Sequence, residues 1–116
     1  MHIDVIREDE TLTHIALNGR MGLVGVQDIE KEFEERTVQR GKSTLIDLSA
    51  VDYVSSLGLR TFLAAARSLQ QQNQTLLLFK PRETVRATIE MAGMQGLIAE
   101  SENLDAALRQ LQKKSA

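Results

Sequence analysis

Apolar positions recur along this chain at two spacings, and the switch between them marks out the elements. Ile3 and Val5 alternate with polar neighbours and read as a first strand. Thr11–Leu17 reads as a second, with Thr13, Ile15 and Leu17 on one face. The acidic stretch Glu8-Asp9-Glu10 between them predicts a hairpin turn, and Asn18-Gly19-Arg20 is expected to end the second strand. Val26, Ile29 and Phe33 then repeat at helical spacing until Gly41, a residue suited to stopping a helix.

Leu45–Leu48 is nearly continuous in apolar residues, as expected of a strand buried on both faces. A short polar loop separates it from a second apolar clip, Val51–Val54, and the chain breaks at Ser55-Ser56. An amphipathic helix opens with Leu57-Gly58-Leu59 and carries Leu59, Phe62, Leu63, Ala66 and Leu69 along one stripe. Thr75–Phe79 is the next buried strand, ended by Lys80-Pro81. Pro81 suits the entry to a further helix, where its missing amide costs nothing. That helix turns Val85, Ile89 and Ala92 inward and ends at Gly93. Leu97-Ile98-Ala99 reads as a final short strand. Leu104, Ala107, Leu108 and Leu111 mark a terminal helix, with Lys113 and Lys114 at its negative end. A hairpin followed by strands alternating with helices is an α/β domain built on a central sheet.

The break at Ser55-Ser56 is the most informative point. A serine there lies where helix amides are unpaired and the macrodipole is positive. That position suits a helix cap, and equally a phosphate carried on the serine itself. Residue chemistry leaves both roles open for Ser56. Asp47 is expected to order the loop after its strand by accepting amide hydrogen bonds.

Composition narrows the function classes. With 116 residues, 42% hydrophobic and 26% charged, the chain is one ordinary globular domain. Net charge is −2 and the densest cluster, Asp28 to Arg36, mixes both signs, as a solvated helix face does. No basic stripe is present to release counterions from a phosphate backbone, so no nucleic-acid partner is expected. The absence of cysteine removes disulfides and thiolate chemistry, and fits a reducing compartment. Met1-His2-Ile3-Asp4 lacks the features of a signal peptide, and the longest apolar runs, Phe62–Ala66 and Leu76–Phe79, are too short to cross a bilayer. The expectation is a cytoplasmic protein with no membrane partner.

Enzyme chemistry finds no foothold. A hydrolase needs a nucleophile with a base in reach. His2 is terminal, and His14 reads as a partly exposed strand residue between Leu12 and Ala16. Two histidines without a clustered carboxylate motif do not suggest zinc. Gly19, Gly22 and Gly25 do not match the spacing of phosphate-binding fingerprints. A receiver domain phosphorylated on aspartate fits poorly, because Asp9 and Glu10 fall in the hairpin turn and Asp47 lies inside an apolar strand. No catalytic residue, metal or cofactor is expected.

Thr44–Leu69, TLIDLSAVDYVSSLGLRTFLAAARSL, resembles the central motif of the STAS domain (sulphate transporter and anti-sigma factor antagonist). Leu17-Asn18-Gly19-Arg20-Met21 looks like the family's Gly-Arg-Leu turn. Val85 to Leu97 and Glu102 to Leu111 resemble its later segments. The resemblance covers essentially the whole chain. It implies a single α/β STAS-type domain over residues 1–116, with a central mixed sheet of about four to five strands and about four packed helices.

The same resemblance implies a non-enzymatic anti-sigma factor antagonist. Its partner would be an anti-sigma factor that is also a serine protein kinase of the histidine-kinase-like ATPase type, with a serine phosphatase as a further partner. Ser56 would be the phosphate acceptor, with Ser55 the alternative. The partner surface would join Gly19, Arg20, Met21, Gly22, Leu23 and Val24 to Ser55, Ser56, Leu57, Gly58, Leu59 and Arg60. Gly58 would let a partner or a nucleotide phosphate approach closely. Two family acids are missing: Gly22 and Ser55 stand where aspartates are common. A STAS interaction or ligand-sensing module without a phosphorylation switch is the alternative.

Overall fold

Strands β1 (His2–Glu8) and β2 (Leu12–Met21) form the expected antiparallel hairpin. Asp9 orders its turn: Oδ1 accepts the Thr11 hydroxyl at 2.7 Å and the Thr11 and Leu12 amides at 2.9 and 3.0 Å, while Arg7 Nε donates to Oδ2 at 2.5 Å. These bonds, the Thr11 hydroxyl foremost and then Arg7, hold the Asp9 carboxyl well below the usual carboxylate range. The computed structural model describes residues 1–115, with side chains through Gln112, so the expected roles of Lys113 and Lys114 lie outside the described residues.

β2 is followed by helix α1 (Leu23–Glu34), which passes into one π-helical turn, Glu35–Gln39. Gly41, at φ +68°, stops it, as the left-handed conformation after a helix requires. Strand β3 (Ser43–Val54), helix α2 (Ser56–Gln71), strand β4 (Leu76–Phe79) and helix α3 (Glu83–Met91) follow. Strand β5 (Ala99–Ser101) and helix α4 (Leu104–Ser115) complete the fold. The sheet order is β1-β2-β3-β4-β5, parallel from β2 onward. Among the described residues this is the mixed α/β sheet with four helices that the family resemblance implied.

The sheet is covered on both faces. Ile15, Leu17, Ile46, Leu48 and Leu78 share a buried cluster with Val26, Ile29 and Phe33 of α1, Leu59, Phe62 and Leu69 of α2, and Val85 and Ile89 of α3. Leu45, Leu77 and Phe79 point the other way, against Ala107 and Leu111 of α4. Neighbouring residues Leu45 and Ile46 thus feed opposite cores, as a strand buried on both faces should.

Several boundaries differ from the sequence reading. The polar loop expected between Leu48 and Val51 is absent: β3 runs unbroken to Val54. Its register against β2 shifts twice, between the Ala16 and Asn18 pairs and between Gly19 and Arg20. Each shift inserts one extra residue into β3, so the buried positions Leu48, Val51 and Val54 come three apart instead of two. β2 likewise continues past Asn18-Gly19-Arg20 to Met21. Pro81 precedes the cap residue Arg82 and stands outside α3, and Ala92 is exposed beyond its end. The last strand begins at Ala99, where pairing with Leu77 starts, and leaves Leu97 out. In α2, Ala65 takes the deeply buried place, with Leu63 and Ala66 half-buried beside it. His14 is buried, at 8% exposure, where a partly exposed residue was expected.

Candidate functional site

Met21 and Val54 are paired at the carboxyl ends of the adjacent parallel strands β2 and β3. Their side-by-side arrangement brings the starts of α1 and α2 together. The Ser55 amide donates to the Met21 carbonyl at 2.9 Å and ties the two connections to each other. Gly22 precedes α1 with no side chain to cap it, and the Val26 amide donates to the Gly22 carbonyl at 2.9 Å. Crevices beyond the carboxyl ends of parallel strands are where open α/β sheets bind.

Of the two roles that the sequence left open for Ser56, the helix cap falls to its neighbour. Ser55 is the cap: its backbone is extended and its Oγ accepts the Gly58 amide at 3.2 Å. Ser56 is the first residue of α2, exposed, and its hydroxyl has no hydrogen-bond partner among the described residues. Arg60 lies four residues further along the same helix, also exposed, where side chains one turn apart can meet.

Around them the expected surface separates into two layers. Arg20, Leu23 and Val24 are exposed, the last two at 62% and 67%. Leu57 and Gly22 are half-buried. Met21, Gly58 and Leu59 are buried and support the surface from below instead of forming it. Gly58 permits a close approach, but to the protein's own core: a Cβ there would stand 2.8 Å from Val54 Cγ1 and 3.1 Å from Met21 Cγ. Gly25 plays the same part at α1, where a Cβ would lie 2.1 Å from the Arg20 carbonyl oxygen. A depression of about 440 Å³ opens beside Arg20, Gly22, Leu23, Val24 and Asp28.

One member of this surface escaped the sequence reading. Tyr53 is 38% exposed and lies under the Arg20 guanidinium, with Cζ 3.8 Å from the ring centroid. Arg20 and Tyr53 are register partners, but only because of the second β3 bulge. Asp47 does accept an amide, that of Ser49 at 2.8 Å, within the first bulge of a continuous strand instead of in a loop. Thr84 Oγ1 donates to the Asp52 carbonyl at 3.0 Å, which fastens α3 to the same end of the sheet. Among the described residues no three His, Asp or Glu side chains gather as a metal site would need, and no helix is long and apolar enough to cross a membrane.

Comparison with known proteins agrees with this geometry. The family model described as "Mlab, STAS domain" matches residues 5–100. A Bordetella bronchiseptica protein named as a candidate anti-sigma factor antagonist, BtrV, is 28% identical over 91 residues, covering 78% of each chain. The anti-sigma-B factor antagonist of Listeria monocytogenes is 27% identical over 96 residues, covering 83% of this chain and 84% of that protein. In structure, the anti-sigma factor antagonist SpoIIAA in its unphosphorylated form superposes with a TM-score of 0.77 at 16% identity, covering 97% of both chains. SpoIIAA of Bacillus in its phosphorylated form gives 0.68 at 16% identity, covering 94% of this chain and 99% of that one. A family model that spans most of the chain, on the sheet and helices just described, shows that this protein belongs to the STAS domain family, and its relatives include anti-sigma factor antagonists.

Proposed function

We propose that the protein is an anti-sigma factor antagonist that captures a kinase and anti-sigma partner of the histidine-kinase-like ATPase type, and that phosphorylation of Ser56 releases it. The observation that carries this reading is the contrast between the two serines. Ser55 Oγ is engaged in capping α2, whereas the Ser56 hydroxyl stands exposed and unbonded at the first position of the helix. A kinase needs a hydroxyl it can reach, and Ser56 supplies it. Leu23 and Val24, exposed at the neighbouring helix start, would provide apolar contact to the partner, and exposed Arg20 and Arg60 a charged border. A serine phosphatase would reset the switch. The activity is binding, not turnover.

Incubation with ATP and the cognate kinase, followed by mapping of the modified residue by mass spectrometry, tests the assignment. Phosphate on Ser56 and none on Ser56→Ala is the expected result. Label on Ser55 alone, or continued labelling of Ser56→Ala, overturns it.

A second reading is a STAS module that binds constitutively. It draws support from Gly22, because that helix start carries no acid where the family commonly has one. Partner affinity that is the same before and after stoichiometric phosphorylation would select it.

A further inference from the structure

α1 and α2 do not close against each other along their outer edge. A groove of about 880 Å³ runs between the end of α1 with its π-helical turn and the middle of α2. The α2 wall is made by Thr61, Ala64, Ala65 and Ser68, one helix face at spacings of three and four on which nothing is larger than threonine. Phe33 and Val38 complete an apolar floor, with Phe33 resting 6.1 Å, centroid to centroid, from Phe62 beneath. The hydroxyl of Thr61 is folded back along its own helix and donates to the Leu57 carbonyl at 2.9 Å.

Charge on the rim is unbalanced. Glu30, Glu34 and Glu35 line the groove, and none forms an ion pair among the described residues. The acids just behind them are already neutralised: Glu32 by Arg36 at 2.7 Å, and Glu8 by Arg36 at 2.9 Å and Arg40 at 3.6 Å. Among the described residues Lys31 is the single cation lining the groove, so the rim keeps a net negative charge over an apolar floor.

We propose that this groove docks an amphipathic helix of a partner protein, apolar on the side facing α2 and basic along its flanks. The shape favours a helix, because the floor lies between two helices and follows α2 from Thr61 to Ser68, about 10 Å at 1.5 Å per residue. Two turns of a ligand helix would set residues at i, i+3 or i+4, and i+7 against Ala64, Val38 and Phe33. Carboxylates on the rim favour lysine and arginine and repel phosphate, which argues against nucleotides and nucleic acid. The surface is separate from Ser56, and the inference does not depend on phosphorylation.

The test uses the full chain, labelled with nitrogen-15, and a fifteen-residue peptide of leucine at helical spacing with lysine elsewhere, blocked at both ends. Saturable amide shifts confined to α2 around Thr61–Ser68 and to residues 30–39 are expected. The same peptide with glutamate for lysine should not bind. Ala64→Trp, at an exposed position, fills the groove and should abolish the shifts. Neutralising the rim with Glu30→Gln, Glu34→Gln and Glu35→Gln should weaken binding about tenfold, as the loss of a few exposed charge pairs does. Shifts spread over the acidic surface, full binding to Ala64→Trp, or equal shifts from spermine would overturn the proposal in favour of simple ion exchange. Groove shifts that grow with protein concentration in the absence of peptide would overturn it in favour of a second copy of the chain.

Discussion

The Arg20 guanidinium lies over the Tyr53 ring, 3.8 Å from Cζ to the centroid, at the rim of the surface where α1 and α2 begin. An exposed cation–π pair is worth about 0.5–1 kcal/mol. A double-mutant cycle with Arg20→Ala and Tyr53→Ala, followed by urea unfolding, should return a coupling energy of that size. Additive effects of the two substitutions would show that the stacking contributes nothing to stability.

Gly58→Ala separates core packing from helix propensity. Alanine is favoured over glycine inside a helix by about 1 kcal/mol. Its Cβ, however, would meet Val54 Cγ1 at 2.8 Å and Met21 Cγ at 3.1 Å, both side chains held in the core. Overpacking of that kind costs about 1–3 kcal/mol. The core term is expected to win, giving a net loss of about 1 kcal/mol by denaturant unfolding. A stabilised variant would mean that Val54 and Met21 move aside freely.

The strand periods show what the sequence could and could not disclose. Val26, Ile29 and Phe33 marked α1 directly, since all three lie in its regular part, before the π-helical turn. Leu48, Val51 and Val54 did not give β3, because two bulges stretched a period of two into one of three and made a single strand look like two fragments. The same bulges pair Arg20 with Tyr53, so that contact was illegible for the same reason. At the helix start, the choice between Ser55 and Ser56 as cap turned on one residue of register, finer than boundary signals in sequence resolve. Met21 and Leu59 pack below a surface that the motif alone drew as one layer.

His14 should make the protein sensitive to mild acid. Burial pushes its imidazole pKa down from 6.5, outweighing the upward pull of the Asp47 carboxylate, and Arg7 adds to the lowering; Nε2 is buried without a partner among the described residues. A group whose folded pKa is depressed binds protons more readily in the unfolded chain, so stability is lost as pH falls below about 6.5. Urea midpoints should therefore decline between pH 7 and pH 5, and the decline should flatten in His14→Leu. An unchanged slope in the variant would assign the acid sensitivity to other groups. Asp9 acts lower on the scale: its depressed carboxyl adds stability that disappears only as pH falls below the ordinary carboxylate range.

Ser55 and Ser56 should respond unequally to alanine. Ser55→Ala removes the bond accepted from the Gly58 amide and should cost about 1 kcal/mol, the usual value of a cap. Ser56→Ala removes an exposed, unbonded hydroxyl and should fall within about 0.5 kcal/mol of wild type. Thermal unfolding of the two variants decides between them, and a loss confined to Ser56→Ala would return the cap to Ser56.

Ser56→Asp should keep the fold and lose the partner. Ser56 is the first residue of α2, where added negative charge is favoured by about 0.3–1 kcal/mol. At the interface the same charge would be pressed against exposed Leu23 and Val24, which the Ser55–Met21 backbone bond holds at the neighbouring helix start. Desolvating an unpaired ion costs on the order of several kcal/mol, so the interface effect should exceed the helix effect. A penalty of about 3 kcal/mol corresponds to binding weakened about a hundredfold. A phosphate, with roughly −1.5 to −2 charge near neutral pH, should act at least as strongly. Arginines presented by the partner at this point would reverse the sign by pairing with the anion. Calorimetric titration of the partner with wild type, Ser56→Ala and Ser56→Asp separates these cases. Weak binding by the aspartate variant alone, with its melting preserved, is the outcome a switch at Ser56 requires, and undiminished affinity would leave constitutive binding as the better account.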